Sequence, residues 1–455
     1  MTNPGSTQLT YTDFHLDLRS AEQNTWIVRI PSPLGDCHEN CVKLALPPNA
    51  VEEALASIAY TTGYLRRSNQ RHSVDPLVNL GKTLFRGLME HTELGHVYAV
   101  AKEQARWQQQ GLRLRLQTSD PAIALLPWEF LFDPDAYQPD FIVLTAQTEL
   151  VRQWGDRLHP APVFELPVRV LLLTTGSGLD AQSEIDALLK LAPDPKLLTF
   201  EVMQTTSKRE LLTALRQQPF HLLHLLGVGV PPNATPQPSQ PGLLLLDQTR
   251  PDNPTRWTRP GAMELVSTQE LNDALQHQAQ LGVVVISGCH TETVARDLTA
   301  TAPATLGNRG TMTSQGRVTF MTAFYQALLA GKSLDLAVAA GQLAIDRQTP
   351  GSREWGLPTL YVQTAQCPAL PLPQVAPASL ANAESLSTLP LLTPEQQTRQ
   401  TQLAIEQINL TQLQQLQAMF GDLTPAYLVA EMATVQAKID QMTTASVPAL
   451  NFLVR

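Results

Sequence analysis

Four short, almost unbroken aliphatic runs, Val168–Thr174, Leu197–Met203, His221–Val228 and Gly282–Ser287, alternate with helical patterns through the middle of this chain. A strand with one wet face alternates apolar and polar residues, whereas a run that is apolar at both parities has to be buried on both faces. The pattern predicts an α/β fold: a mostly parallel sheet covered by helices. Open sheets of that kind place their ligands outside the carboxyl ends of the strands. Val228 ends the third run, and Cys289 follows the fourth in Val283-Val-Val-Ile-Ser-Gly-Cys-His-Thr-Glu-Thr. Both are expected at the same edge of one sheet, which makes that edge the place to look for chemistry.

The first 160 residues read differently. Thr25-Trp-Ile-Val-Arg-Ile30 and Leu112-Arg-Leu-Arg-Leu-Gln117 are strand-like, and one long helical stretch is expected around Asp75 to Gln110. In Leu112–Gln117 the leucines alternate with Arg113 and Arg115, which predicts one apolar face and one solvated face. A mixed or partly antiparallel layer follows. Cys37-His-Glu-Asn-Cys41 has two thiols and an imidazole, but no second ligand pair lies at zinc-finger spacing, so a structural loop is expected and no metal. Thr174-Thr-Gly-Ser-Gly-Leu lacks both the third glycine of a dinucleotide fingerprint and the Gly-Lys-Ser/Thr of a P-loop. It reads as a strand-to-helix turn, and no cofactor is expected.

The motifs, taken together, resemble the CHAT family of caspase-like proteins of the clan-CD cysteine peptidases. Leu126-Pro-Trp-Glu-Phe-Leu-Phe-Asp-Pro134 is similar to that family's leucine-proline-tryptophan-glutamate motif, and Val168–Thr174 to the strand that opens its peptidase half. Phe324-Tyr-Gln-Ala-Leu-Leu-Ala-Gly-Lys-Ser333 and Trp355-Gly-Leu-Pro-Thr-Leu-Tyr-Val362 resemble its late helix and last strand. Cys289 stands where the family carries its nucleophile. His221-Leu-Leu-His-Leu-Leu-Gly-Val-Gly-Val230 has the shape of the leucine-histidine-x-x-glycine-histidine-glycine motif, but Val228 occupies the position of the catalytic histidine. The resemblance spans roughly residues 10 to 365. It implies an N-terminal α+β part over residues 1–160, a caspase-like domain over 161–365, and an oxyanion site made by the backbone N–H groups of Gly229 and Cys289.

A cysteine peptidase needs a thiolate, a base that takes the thiol proton and returns it to the leaving amine, and donors for the oxyanion. Val228 has neither a lone pair nor a proton to give. An unassisted thiol is only a few per cent ionised at neutral pH. His224 shares the strand face of Val228 but lies four residues back, about 13 Å at roughly 3.3 Å per residue. His221 has the opposite parity and is expected on the other face. His290 follows Cys289 directly and is the one substitute base worth weighing, although neighbouring side chains normally diverge. Two readings follow: a pseudopeptidase that works by binding, or an active cysteine endopeptidase using Cys289 with His290 or with a partner's base. The acidic residues Asp180, Glu184, Asp186, Asp247 and Glu264 are scattered and expected to be solvated. Thr313-Ser-Gln-Gly lacks the acidic residue that related proteins carry in this segment, which puts recognition of a basic substrate side chain in doubt.

Composition narrows the classes further. The formal charge is -9 without a lysine/arginine cluster, which argues against nucleic acid as a ligand. No apolar run approaches the roughly 18 residues of a membrane span, and Met1-Thr-Asn-Pro-Gly-Ser-Thr has no features of a secretory signal. Four cysteines in 455 residues do not suggest a disulfide framework, so a cytoplasmic location is expected. Pro231–Pro241, with five prolines, is read as a mobile loop. A proline-rich linker is expected over 366–393. Beyond it, Thr393-Pro394 and Thr424-Pro425 each start an apolar helical stripe, from Leu403 to Phe420 and from Leu428 to Met442. The stripes predict a helical hairpin over 394–445 that either packs on the main domain or mediates association with a protein partner or a second copy. The resemblance implies a bacterial defence or signalling setting for such an assembly.

Overall fold

The computed structural model describes residues 11–371, apart from 21–24, 32–36, 44–45, 47–48, 62–74, 91–92, 135–139, 146–147, 175–180, 231–240, 247–262 and the single positions 192, 206 and 218, together with residue 436. The turn after Thr174, the loop 231–240, Asp180, Asp247, most of the linker and the C-terminal hairpin lie outside the described residues.

The N-terminal part contributes β1 (Tyr11–Ser20), β2 (Thr25–Pro31), β3 (Cys37–Lys43), α1 (Ala50–Thr61), α2 (Pro76–Met89), α3 (Glu93–Trp107), β4 (Gly111–Thr118), α4 (Pro121–Ala124), the short pair β5 (Phe132–Asp133) and β6 (Asp140–Phe141), and β7 (Thr148–Trp154). Then follow β8 (Val168–Thr174), α5 (Ala181–Leu189), β9 (Leu198–Gln204), α6 (Lys208–Gln217), β10 (Leu222–Leu226), β11 (Val228–Gly229), β12 (Gly242–Leu246), β13 (Met263–Ser267) and α7 (Thr268–Leu275). The last described elements are β14 (Val283–Ser287), α8 (Glu292–Leu298), β15 (Ala304–Asn308), α9 (Ser314–Leu329), α10 (Leu334–Gln348) and β16 (Pro358–Val362).

Eleven strands form one sheet in the order β3-β2-β1-β4-β7-β16-β15-β14-β10-β8-β9. Only β1–β2, β2–β3 and β15–β16 pair antiparallel, so the sheet is mostly parallel, as the aliphatic runs require. It passes without interruption from the N-terminal part into the caspase-like part, across a junction where the register pairs Tyr361 with Arg152. In β10 and β14 the side chains sort by parity. Leu222, Val283 and Val285 join the core that holds Phe320, Phe324 and Leu328 of α9. Leu223, Leu225, Val284 and Ile286 join a second core with Leu211 and Leu215 of α6, Leu271 and Leu275 of α7, and Val294 and Leu298 of α8. Burying such a side chain fully contributes about 1.5–3 kcal/mol, and here both faces of each central strand gain it.

Several expectations change. The helical stretch from Asp75 to Gln110 is two helices, with the first ending at a Glu90 in extended conformation. At the start of α3 the backbone comes so close to the end of α2 that a Cβ on Gly95 would sit 2.0 Å from the Met89 carbonyl oxygen. Cys37–Cys41 is not a loop but most of β3, paired along its length with β2. The run His221–Val228 is not one strand: it leaves the main sheet after Leu226, and Val228–Gly229 pair with β12 in a separate three-stranded antiparallel sheet, β11-β12-β13.

The arginine face of β4 is not solvated either. Arg115 is 2% exposed and donates to the carbonyls of Thr364 (2.5 Å) and Ala365 (2.8 Å). Arg113 stands in register between Asp13 of β1 and Glu149 of β7, and its Nε donates to Asp335 of α10 at 2.6 Å. The N-terminus of α10 and the segment after β16 cover this face, so a row of charges that alternation alone would place in water is an internal ion layer. Glu149 accepts from the Tyr11 hydroxyl at 3.3 Å. Burial, reinforced by the charge of Asp335, holds its carboxyl well above the usual range.

A buried acid whose folded pKa lies above its unfolded value contributes stability below the unfolded pKa and loses it as pH rises toward the folded one. Glu149→Gln is therefore expected to raise the melting temperature at pH 7, on the order of 2 °C. The gain should shrink as the pH falls from 7 toward the ordinary glutamate value of about 4.5 and be gone below it. Thermal melts of both proteins at pH 4 and pH 7 check this.

Candidate active site

Cys289 lies in a turn between the end of β14 and the first turn of α8, and backbone contacts from three directions fix that turn. From the β10–β11 side, Gly227 N–H donates to the Ser287 carbonyl (3.1 Å) and Gly229 N–H to the Cys289 carbonyl (2.9 Å). From the end of β15, Asn308 Nδ2 donates to the Gly288 carbonyl (3.0 Å), and the Thr291 N–H donates to the Asn308 carbonyl (2.8 Å). His290 N–H reaches the Gly310 carbonyl at 3.2 Å, and the Thr291 hydroxyl bonds back to Ile286 (3.1 Å). A Cβ on Gly229 would fall 1.9 Å from the His290 carbonyl oxygen, so this position has to be glycine for the two segments to touch.

The fold thus brings Val228, Gly229, Cys289 and His290 together, as expected, without assembling a dyad. Val228 is half-buried and extended in β11. The half-buried Cys289 Sγ has one polar neighbour among the described residues, the Met312 carbonyl at 4.0 Å, too long for more than a weak contact. His290 has a left-handed backbone (φ 56°), a conformation uncommon outside glycine, and its Nε2 is paired with the Thr311 hydroxyl at 3.1 Å rather than with the thiol. Burial lowers the His290 pKa, opposed by a hydrogen bond with the Arg309 backbone. Of the two N–H groups expected to serve an oxyanion, that of Gly229 is committed to the Cys289 carbonyl, whereas that of Cys289 has no partner among the described residues.

The two histidines of the β10 segment lie further back along the chain, His221 before the start of the strand and His224 in its middle. His221 Nδ1 accepts the Arg169 N–H (2.9 Å) beside the Phe164 ring. His224, fully buried, bridges the Tyr325 hydroxyl (2.9 Å) and Glu184 (2.9 Å), and the other Glu184 oxygen accepts from the Ser287 hydroxyl (2.9 Å) with Arg317 at 3.5 Å. Glu184 is therefore not solvated, unlike Asp186 and Glu264, which are exposed. Burial pushes its carboxyl up, but the hydrogen bond and charge of His224, together with Arg317 and Ser287, outweigh burial and hold it below the usual range. An acid distant in sequence, Glu354, meets the start of the Thr313–Gly316 segment. Glu354 accepts from the Thr313 N–H (2.6 Å) and hydroxyl (2.9 Å), and it is 4% exposed, so it serves the cap of α9 rather than a substrate.

The sequence did not reveal what the Leu126–Glu129 motif does. Glu129 pairs with Arg152 of β7, and the Arg152 Nη atoms also donate to the carbonyls of Ala124 (2.6 Å) and Leu126 (3.0 Å). Glu292, three residues after Cys289, accepts from Arg309, from the Tyr361 hydroxyl (3.3 Å) and lies 3.5 Å from Arg152. Arg309 in turn donates to Leu125 (2.8 Å). Burial alone would lower the Arg152 pKa, but the charge and hydrogen bonds of Glu129, with Tyr361 and Glu292, raise it, so this buried cation stays charged.

A parallel sheet carrying a cysteine at the carboxyl end of β14, next to the end of β10, defines the class: a caspase-like α/β fold of the cysteine-peptidase type. The model of the CHAT domain matches residues 78–363, and the chain belongs to that family. Among solved structures, the chain is similar to the Saccharomyces cerevisiae separase–securin complex at 11% identity and a TM-score of 0.43, covering 77% of this chain but only 30% of that one. A secreted C11 cysteine protease from Bacteroides thetaiotaomicron, in complex with an irreversible peptide inhibitor, matches at 13% identity and a TM-score of 0.27, over 38% of this chain and 57% of that one. No match was found among curated proteins. Among the described residues no helix is long and apolar enough to cross a membrane, and no cluster of histidine, cysteine and acidic side chains could hold a metal.

Removing one partner of a buried ion pair leaves an uncompensated charge and costs about 3–5 kcal/mol. Glu129→Ala is expected to destabilise the domain by that amount, whereas an exposed acid such as Glu264→Ala should change stability by less than about 0.5 kcal/mol. Urea titrations of the two variants against the wild type check the contrast.

Proposed function

We propose that this CHAT-domain protein is a pseudopeptidase that uses its caspase-like fold to bind a protein partner, as a scaffold or regulatory component of a bacterial defence or signalling system in the cytoplasm. One observation carries the reading: the thiol of Cys289 faces a carbonyl oxygen at 4.0 Å and no imidazole, because Val228 stands at the base position and His290 is paired with Thr311. Hydrolysis of a peptide needs a group that accepts the thiol proton and delivers it to the departing amine. Binding needs neither. The C-terminal stripes, Leu403 to Phe420 and Leu428 to Met442, hold more apolar surface than two helices bury against each other, and they are the proposed means of association with a partner or a second copy.

The purified protein is expected to cleave neither itself nor an offered protein in a Cys289-dependent way. Cleavage that disappears in Cys289→Ala would refute the proposal, and its loss in His290→Ala would name the substitute base. Val228→His places an imidazole at the family's base position, and alkylation of Cys289 at pH 6–7 should then accelerate about tenfold for each unit by which the thiol pKa falls. Deleting 394–455 should abolish association, read by light scattering, while the remaining domain stays soluble with an unchanged melt; a truncated chain that aggregates places the hairpin in the core instead.

A further inference from the structure

β9 is the last strand of the eleven-stranded sheet, so among the described residues one of its edges has no strand beside it. The bonds to β8 fix which of its backbone groups are used. Val168 N–H donates to the Leu197 carbonyl (2.8 Å) and Thr205 N–H to the Thr174 carbonyl (3.0 Å). Between them the parallel pairing is unbroken, from Val168 beside Leu198 to Thr174 beside Gln204. In a parallel ladder alternate residues turn both N–H and C=O to the same neighbour, so the odd-numbered residues serve β8. Phe200, Val202 and Gln204 therefore aim their N–H and C=O groups away from the sheet, where no described strand meets them. The N–H of Leu198, of the same parity, is already held by the Asp194 carbonyl (3.0 Å).

Sheet edges are usually blunted by a proline, a bulge or several charges. β9, Leu198-Thr-Phe-Glu-Val-Met-Gln204, has no proline and no bulge, and Glu201 is its one charge. The Tyr325 ring holds Phe200 from inside at 5.6 Å, and the next residue on that face, Val202, is 45% exposed. An unprotected edge with an apolar centre is a template for another extended strand.

This edge is complementary to itself. When two antiparallel copies are related by a two-fold axis at Val202, Phe200 faces Gln204 of the other copy and Val202 faces Val202. Each such pair exchanges both N–H···O bonds, and the outward groups of the three residues pair entirely with one another. Glu201 then faces Met203. An axis one residue earlier would set Glu201 against Glu201, and like charges directly opposite destabilise a pair. Both copies use the same edge, so the pairing closes at two.

We propose that the β9 edge is a self-association surface, pairing antiparallel with β9 of a second copy about Val202 so that two sheets run on into one. Seven-residue strands paired edge to edge bury less than the roughly 1,200–2,000 Å² of a lasting interface. The contact is thus a second one, between copies already joined by the C-terminal stripes, and it rests on that reading. Two edges held together in this way meet at an effective concentration on the order of millimolar.

Val202→Cys tests the register in the full chain. Facing Cα atoms of a hydrogen-bonded antiparallel pair lie about 5.5 Å apart, within disulfide reach. Gln204, also exposed, would stand four residues from its own counterpart, about 13 Å away. With oxidised glutathione, Val202→Cys should therefore give about tenfold more of the symmetric linked peptide than Gln204→Cys, read by mass spectrometry. Val202→Pro removes an N–H that no internal bond uses. It should weaken dimerisation about tenfold in sedimentation equilibrium while keeping the far-UV circular dichroism of the wild type. Should that variant misfold, the cysteine pair still decides. Equal linkage at 202 and 204, a Val202→Cys chain that stays unlinked, or a folded Val202→Pro chain that associates like the wild type overturns the proposal. Association and 202 linkage that survive deletion of 394–455 would remove the stripes from the interface and leave the β9 pairing standing. Association lost on that deletion, with no 202 linkage in the full chain, does the reverse, so the two failures are distinguishable.

Discussion

The ion network of Glu129, Arg152, Glu292 and Arg309 is what the rest of the architecture depends on. Its members are at most 8% exposed, and they lie where β7 meets β16, a junction with a single register pair between the N-terminal strands and the caspase-like strands. Main-chain pairing there is too sparse to hold the two halves in one plane. Charges taken out of water have to be matched closely, because an unmatched one is far costlier than any single apolar contact. Two arginines answer two glutamates, and three further N–H bonds from them go to the carbonyls of Ala124, Leu125 and Leu126, so the segment before Trp128 is wrapped onto the seam. Glu292 belongs to this network and is also in the first turn of α8, directly after the cysteine turn. The N-terminal half is thus tied, through Glu292, to the helix that follows the cysteine turn.

The parts of the fold that were legible in the sequence are those where burial on both faces leaves a single signature. Val168–Thr174 and Val283–Ser287 are strands at the expected places because nothing but a doubly covered strand accommodates such runs. Alternation carries less information. Arg113 and Arg115 alternate with leucines just as they would on a wet face, and only the tertiary placement of Asp335 and of the Thr364 carbonyl turns that face inward. Glu184 was misread for the same reason: a lone acid in an amphipathic helix carries no local mark of the His224 and Arg317 that meet it from other elements. The end of β10 was misplaced because Leu-Gly-Val-Gly reads as a continuing apolar run, and the transfer of Val228–Gly229 to a second sheet depends on β12, far along the chain.

At the candidate site the sequence placed these residues together and could not give their commitments. Cys289, Val228, Gly229 and His290 do converge, since strand order alone puts the ends of β10 and β14 side by side. Whether an N–H or an imidazole is free once they converge is decided by hydrogen bonds between segments distant in sequence, such as His290 to Thr311 and Asn308 to Gly288. These same bonds fix the shape of the turn whatever side chain stands at position 228. They satisfy backbone groups that would be buried and unpaired otherwise, so the geometry is maintained by folding energy and persists independently of catalysis.

That separation of shape from chemistry also sets how far the site stands from peptide hydrolysis. Hydrolysis asks for a proton acceptor beside the thiol, and among the described residues no imidazole is paired with it; it also asks for oxyanion donors. With the Gly229 N–H held by the Cys289 carbonyl at 2.9 Å, only the Cys289 N–H is unengaged, and loss of a single oxyanion donor costs on the order of 10²–10³ in rate. Freeing Gly229 would mean moving β11 away from the cysteine turn, yet the two backbones touch so closely that even a Cβ has no room between them. The contact that would have to open is therefore one that holds the turn in place. Restoring a histidine at position 228 supplies a base to the thiol but leaves this donor engaged, so a more reactive cysteine and a working peptidase are two different distances away from this structure.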